Sequence, residues 1–250
     1  MTSLLKLNTV SRRFGSLQAL TDISIDVAPG ELRAVIGPNG AGKTTLFNLI
    51  SGFFPPSSGE IVFDGQVISR VNPAELVNRG IIRTFQITEI FLSLSVRENL
   101  RIAAEVAMGV SHLPWAGRHL RARIDERVQE LMDMVGIGRK ADRIAGELSH
   151  GDQRVVEIGI ALSRHPKLLL LDEPTAGMGD EETQLMTALI KRLNKEQGIT
   201  TLFVEHDMEI VFGIADRITV LDNGHFLAEG NAQEIASNPK VQAAYLGQPA

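Results

Sequence analysis

Cysteine is missing from the 250 residues, and aromatic side chains make up only 5% of them, with one tryptophan and one tyrosine. No disulfide framework and no thiolate metal site can be built, which agrees with a reducing compartment. No apolar run approaches the roughly 20 residues that cross a bilayer. Met1 to Val10 lacks the basic-then-apolar order of a secretory signal, so a cytoplasmic location is expected. Positive charge is not in excess either: 25 Lys and Arg stand against 30 Asp and Glu, a net charge of −5, so no basic field draws in a nucleic-acid backbone. Interior linkers, repeats and low-complexity segments are also absent. A chain of this length without them is expected to bury one core, with room for a subdomain.

What is present is a phosphate cradle. Gly37-Pro38-Asn39-Gly40-Ala41-Gly42-Lys43-Thr44-Thr45 follows the apolar run Leu32 to Ile36 and opens a helical pattern, Leu46 to Ile50. Glycines at 37, 40 and 42 are expected to let the backbone come close to a phosphate, where side chains would block it. The N–H groups from about Gly40 to Thr45 then point at the anion from a helix N-terminus, whose aligned peptide dipoles favour negative charge. Lys43 adds a charge near the β/γ-phosphates and Thr44 a hydroxyl for Mg²⁺.

Around the cradle the pattern reads as strands: Leu5 and Leu7, then Ile23, Ile25 and Val27 alternating with polar residues, then Glu60 to Phe63 closed by Asp64-Gly65. Ile81 to Phe85 reads as a strand entered through Gly80. The period turns helical at Ser95, which forms a capping box with Glu98 ahead of Val96, Leu100, Ala103, Ala104 and Ala107. After a break over residues 109–117, Ile124, Val128, Leu131, Met132 and Val135 make a second stripe, read as core packing and stopped by Gly136. Strands at Leu168 to Leu171, Thr200 to Val204 and Ile218 to Leu221 alternate with helices at Glu181 to Lys195 and Met208 to Ala215. Such alternation implies a mainly parallel sheet covered on both faces.

Asp172-Glu173 closes the strand at Leu168, and ligands of α/β sheets bind beyond strand carboxyl ends. Asp172 could hold Mg²⁺ with Thr44 and Glu173 could polarise an attacking water; taken alone, the pair reads equally as a solvated strand end or a helix cap. Ser149, His150, Gly151 and Asp152 precede the helix Val155 to Leu162, with Ser149 and Asp152 in capping-box spacing. That element is a helix start, and also a second anion site. Gln86 and His206 follow apolar strands and could reach the same phosphate, although single polar residues there are commonly structural.

In order, these elements resemble the ATPase subunit of ABC transporters over essentially the whole chain. The resemblance implies a P-loop NTPase of α/β class, with a RecA-like mainly parallel sheet, an N-terminal antiparallel β-subdomain and an inserted α-helical subdomain. Residues 1–86 would hold the β-subdomain and the first half of the core, 87–160 the helical subdomain, and 161–250 the second half and tail. It further implies that Phe14 stacks adenine, that Gln86 belongs to the Q-loop and contacts the metal, that Ser149 and Gly151 form the signature, and that Gly177 to Asp180 form the D-loop. Glu173 would be the base and His206 the switch histidine. ATP and Mg²⁺ are the implied ligands, sandwiched between two subunits closing head to tail. Two departures stand out: His150 replaces a usual glycine, and Ala176-Gly177-Met178-Gly179-Asp180 is an unusual D-loop.

Within that family, Arg83-Thr84-Phe85-Gln86, Leu148 to Arg154, Glu205 to Met208 and the tail around Ala228-Glu229-Gly230 and Ala244-Tyr245-Leu246-Gly247 resemble bacterial importers of branched-chain, or hydrophobic, amino acids. The implied partners are a second ATPase, identical or homologous, two integral-membrane permeases and, indirectly, a periplasmic substrate-binding protein. The implied place is the inner face of the membrane. Urea, amide and aromatic-acid importers share the subfamily. A soluble ABC ATPase acting on nucleic acid or ribosomes usually carries two ATPase units or a long coiled coil, and neither is present here.

Overall fold

The structure is a computed structural model that describes residues 3–84, 90–111 and 117–246. In chain order the elements are β1 (Leu5–Phe14), β2 (Leu17–Val27), β3 (Leu32–Ile36), α1 (Lys43–Ile50), β4 (Ser58–Phe63), β5 (Gln66–Val67), α2 (Pro73–Arg79) and β6 (Ile81–Arg83). They continue with α3 (Val96–Ala107), α4 (Arg118–Val135), α5 (His150–Leu162), β7 (Leu168–Asp172), α6 (Asp180–Gln197), β8 (Thr200–Val204), α7 (Met208–Ile214), β9 (Arg217–Asp222), β10 (His225–Gly230), α8 (Ala232–Ala236) and α9 (Pro239–Leu246).

The fold divides into two compact units: residues 1–83, 167–173 and 194–250, and residues 84–166 and 174–193. In the first, a four-stranded antiparallel sheet runs β2-β1-β4-β5 and a six-stranded sheet runs β10-β9-β3-β8-β7-β6. The larger sheet is parallel apart from β10, which returns from β9 through the Asn223-Gly224 turn. Both turn residues have positive φ, 46° and 77°, as a tight hairpin demands. Strands β3, β7 and β8 are buried at every position, which is why they read as largely apolar runs, with Thr200, Thr201 and Asp172 as buried polar members. Arg33 in β3 is 1% exposed, and its guanidinium donates to Glu31, Glu229 and the Asp26 carbonyl. The core of this unit joins both sheets to α1 through Leu7, Ile25, Phe47, Ile61, Leu170 and Val204.

The second unit is helical. The stripes Val96, Leu100, Ala103, Ala104 and Ile124, Val128, Leu131, Met132, Val135 are buried, and Ala107 only partly. A side chain at Gly159 on α5 would strike Leu100, so helices α3 and α5 approach closely there. The box at Ser95 is complete: Glu98 N–H donates to Ser95 Oγ at 3.2 Å and Ser95 N–H to the Glu98 carboxylate at 2.8 Å. The box expected at Ser149 is only half made. Ser149 Oγ accepts from Asp152 N–H at 3.3 Å, but the Asp152 carboxylate turns to Lys140. The helix behind it begins at His150, earlier than the apolar period suggests, because polar first-turn residues carry no periodic signal.

Candidate active site

Parallel strands carry their carboxyl ends to one edge of the first unit, and there Gly37 follows β3, Glu173 follows β7 and His206 lies just past β8. Glu173 and His206 border a cleft of ≈ 400 Å³ lined also by Asn39 to Thr45, Val204, Leu17 to Ala19, Asn223 and Gly224. The glycines serve different ends than phosphate approach alone. A Cβ at Gly37 would overlap the Leu221 carbonyl of β9, and one at Gly42 would run into Leu20 and the Ala19 carbonyl. Gly40 has open space and is needed for its φ of 80°.

Helix α1 makes its first backbone bond from Leu46 N–H to the Gly42 carbonyl. The N–H groups of Lys43, Thr44 and Thr45 come before it and are left for an anion. The Lys43 ammonium folds back into the loop, donating to the Gly37 carbonyl at 2.6 Å and the Pro38 carbonyl at 3.0 Å. Burial pushes it below the ordinary lysine value, against the pull of the Glu173 and Asp172 carboxylates. A desolvated cation tied only to neutral carbonyls, with N–H groups beside it, suits a polyanion.

Glu173 has φ 48°, a left-handed conformation uncommon for a side chain of its size. Its N–H donates to the Val204 carbonyl at 3.0 Å, and its Oε1 lies 3.0 Å from His206 Nε2. Strained backbone at a strand end that aims a carboxylate into a cleft fits a general base held by a histidine. Asp172, 7% exposed, does not line the cleft; its Oδ2 accepts from Arg83 at 2.9 Å. Hard oxygens from Asp172 and the exposed Thr44 hydroxyl suit magnesium, with phosphate and water completing the shell. Among the described residues there is no cluster of three or more His, Asp or Glu that would hold a metal by itself.

Phe14 is half exposed at the end of β1. Its ring meets Phe54 edge-on at 5.1 Å, and the Arg12 guanidinium lies 4.5 Å from its centroid. Ser149 and Gly151 belong to the second unit, where Ser149 caps α5 and Gly151 leaves room for Glu182. His150 is exposed there, and a Cβ added at Gly177, where φ is 75°, would lie 3.8 Å from its ring. Gln86 lies outside the described residues. Sequence reasoning missed the Arg83 partnership with Asp172 and the part that the Asn223-Gly224 turn plays in walling the cleft. Strand order alone could have placed that turn beside the loop.

Comparison with known proteins bears on this geometry. The family profile described as ABC transporter matches residues 20–176, and one described as Branched-chain amino acid ATP-binding cassette transporter matches residues 227–250. The chain is 37% identical to the high-affinity branched-chain amino acid transport ATP-binding protein LivG of Escherichia coli K12, with 98% of each chain covered. It is 36% identical to BraF of Pseudomonas aeruginosa, again over 98% of each. A crystal structure of the ADP conformation of an ATP-binding cassette of an ABC transporter superposes with a TM-score of 0.85 at 34% identity, covering 99% of this chain and 100% of that one. A dimeric cassette in a post-hydrolysis state with ADP and phosphate gives 0.75 at 26% identity. The fold and cleft are those of a P-loop ATPase, and the chain belongs to the ABC transporter family as one of its ATP-binding cassettes.

Proposed function

We propose that this chain is the ATP-hydrolysing subunit of a bacterial importer for branched-chain or other hydrophobic amino acids, peripheral on the inner face of the membrane. The observation that carries the reading is the meeting of Lys43, Glu173 and His206 around one cleft, in a chain alike over nearly its whole length to proteins named for that transport. The match of residues 227–250 to the branched-chain profile supports the same solute class.

Residues Gly37 to Thr45 bind the phosphates of ATP, Lys43 moving its charge from loop carbonyls to phosphate oxygens. Thr44 and Asp172 would hold magnesium, which would supply charge neutralisation at the phosphates and at the leaving oxygen. Glu173 orients the attacking water and takes up its proton, and His206 steadies that carboxylate and reaches toward the γ-phosphate. Phe14 stacks adenine, and Gln86 would contact the metal and the attacking water. Ser149 and Gly151 cap the ATP held by a second ATPase subunit, so ATP favours the closed pair because it binds that state better. Two permeases receive the movement, and a periplasmic binding protein delivers solute to them.

The test is recovery of tagged Glu173→Gln, held with Mg-ATP, from detergent-solubilised native membranes. Two multi-span proteins and a second ATPase are expected in the eluate. Recovery of the chain alone, or with ribosomal or DNA-bound proteins, overturns the transporter reading.

A further inference from the structure

We propose that Arg83 is a positioning residue: it aims Asp172 at the metal and fastens it to the helix that carries Thr44. The inference rests on the reading of Asp172 as a magnesium-holding carboxylate. Arg83 ends β6, the edge strand beside β7, and its side chain is 6% exposed. Its Nη2 donates to Asp172 Oδ2 at 2.9 Å, while Nη1 donates to Asn48 Oδ1 at 2.6 Å and to Ser51 Oγ at 3.2 Å. Asn48 lies on α1 and Ser51 caps its end, the helix that Lys43 and Thr44 open. The guanidinium is flanked by the rings of Phe47 at 5.7 Å and Phe53 at 5.8 Å, which restrict where the fork can turn.

Those bonds have a geometric consequence. One planar group spans two elements at once, so the two oxygens proposed for magnesium, on Thr44 and Asp172, are set relative to each other by Arg83 as well as by the sheet. The bond engages Oδ2 and leaves Oδ1 for the metal or its water shell. Arg83 also offsets the charge of Asp172, so the direction of the carboxylate, more than its net charge, would set its hold on a cation. Lysine offers a point charge on a flexible stem and cannot hold both sides of the link as a fork does.

A purely structural arginine would matter equally with and without metal, and that difference is the test. Equilibrium binding of a fluorescent, non-hydrolysable ATP analogue is measured in EDTA and across a magnesium titration for wild type, Arg83→Lys, Arg83→Met and the double variant Asn48→Ala/Ser51→Ala. Outer-shell partners of metal ligands commonly alter metal affinity by about 10–100-fold. The magnesium concentration for half-maximal effect should therefore rise at least about tenfold in both Arg83 variants and by a smaller factor in the double variant, with affinity in EDTA unchanged. A wild-type magnesium curve for Arg83→Lys, or an equal loss with and without metal, overturns the proposal. Should Arg83→Met fail to fold, Arg83→Lys and the double variant, which keeps the ion pair, still decide it. Asp172→Asn is measured alongside. A wild-type magnesium dependence there would sink the metal assignment itself, whereas a shift in Asp172→Asn without one in Arg83→Lys sinks only the role of Arg83.

Discussion

At Glu173 the backbone and the proposed chemistry pull in opposite directions. A left-handed φ of 48° costs a residue with a Cβ roughly 1–2 kcal/mol, and the conformation persists because the N–H is tied to Val204 and the side chain meets His206. The pair itself is partly exposed, 23% for Glu173 and 50% for His206, and adds less than about 1 kcal/mol. Glycine is free of the left-handed penalty. Glu173→Gly should therefore melt no lower than wild type while losing hydrolysis, the pattern of a site that trades stability for activity. Thermal melting beside a phosphate-release assay checks it, and a fall of several degrees would contradict the strain assignment. The residue type and place of Glu173 were legible from the apolar run before it, but its φ was not, since nothing in Asp172-Glu173-Pro174 fixes a left-handed residue locally. Arg83 was equally hidden. It lies within Ile81 to Phe85, which reads simply as a strand, and only the fold brings Asp172, Asn48 and Ser51 around it.

Among the elements, α3 shows how local signals suffice when they are complete. Ser95 and Glu98 supply both halves of the capping box, and Ser95→Ala should cost about 1 kcal/mol in chemical denaturation. Hydrogen bonds from the Ser95 N–H and hydroxyl hold the Glu98 carboxyl below the usual glutamate value. Its folded pKa is depressed, so its share of the stability is present above the ordinary value and lost as pH falls through the lowered one. The Ser95→Ala penalty should shrink accordingly in acid; a pH-independent penalty would contradict the box. Helix α2 carried signals as good, Asn72 as cap, Pro73 at its start and Gly80 past its end, yet seven residues are too few for a period to be read. In α9, burial pushes the Tyr245 hydroxyl up to about 12, the nearby Gly37 N–H opposing it. A raised folded value means stability kept below the ordinary tyrosine range and lost as pH climbs through 12. Tyr245 is the chain's one tyrosine, so phenolate absorbance reads it alone. Its midpoint should lie well above that of the urea-unfolded chain, and equal midpoints would place the hydroxyl in water.

For the molecule as a whole, no helix among the described residues is long and apolar enough to cross a membrane. Nucleotide should act on global stability, because a ligand at about a hundredfold its Kd adds about 2.7 kcal/mol, or roughly 5–10 °C for a chain of this size. Mg-ATP should raise the melting temperature by that order, and Lys43→Ala should abolish the rise; an undiminished rise would remove Lys43 from the site. The parallel sheet and helical insert were legible in advance because apolar runs and helical stripes are long here, and the ordered motifs led to the family. Which residues share one cleft depended on strand order, which no local period encodes.

The most direct measurement is single-turnover hydrolysis of ATP by Glu173→Gln, with nucleotide binding measured in parallel. A positioned base contributes about 10²–10⁴-fold, so turnover should fall at least about tenfold while ATP still binds. Unchanged turnover would contradict the assignment of Glu173, and loss of binding together with turnover would show that the substitution had damaged the cleft rather than the chemistry.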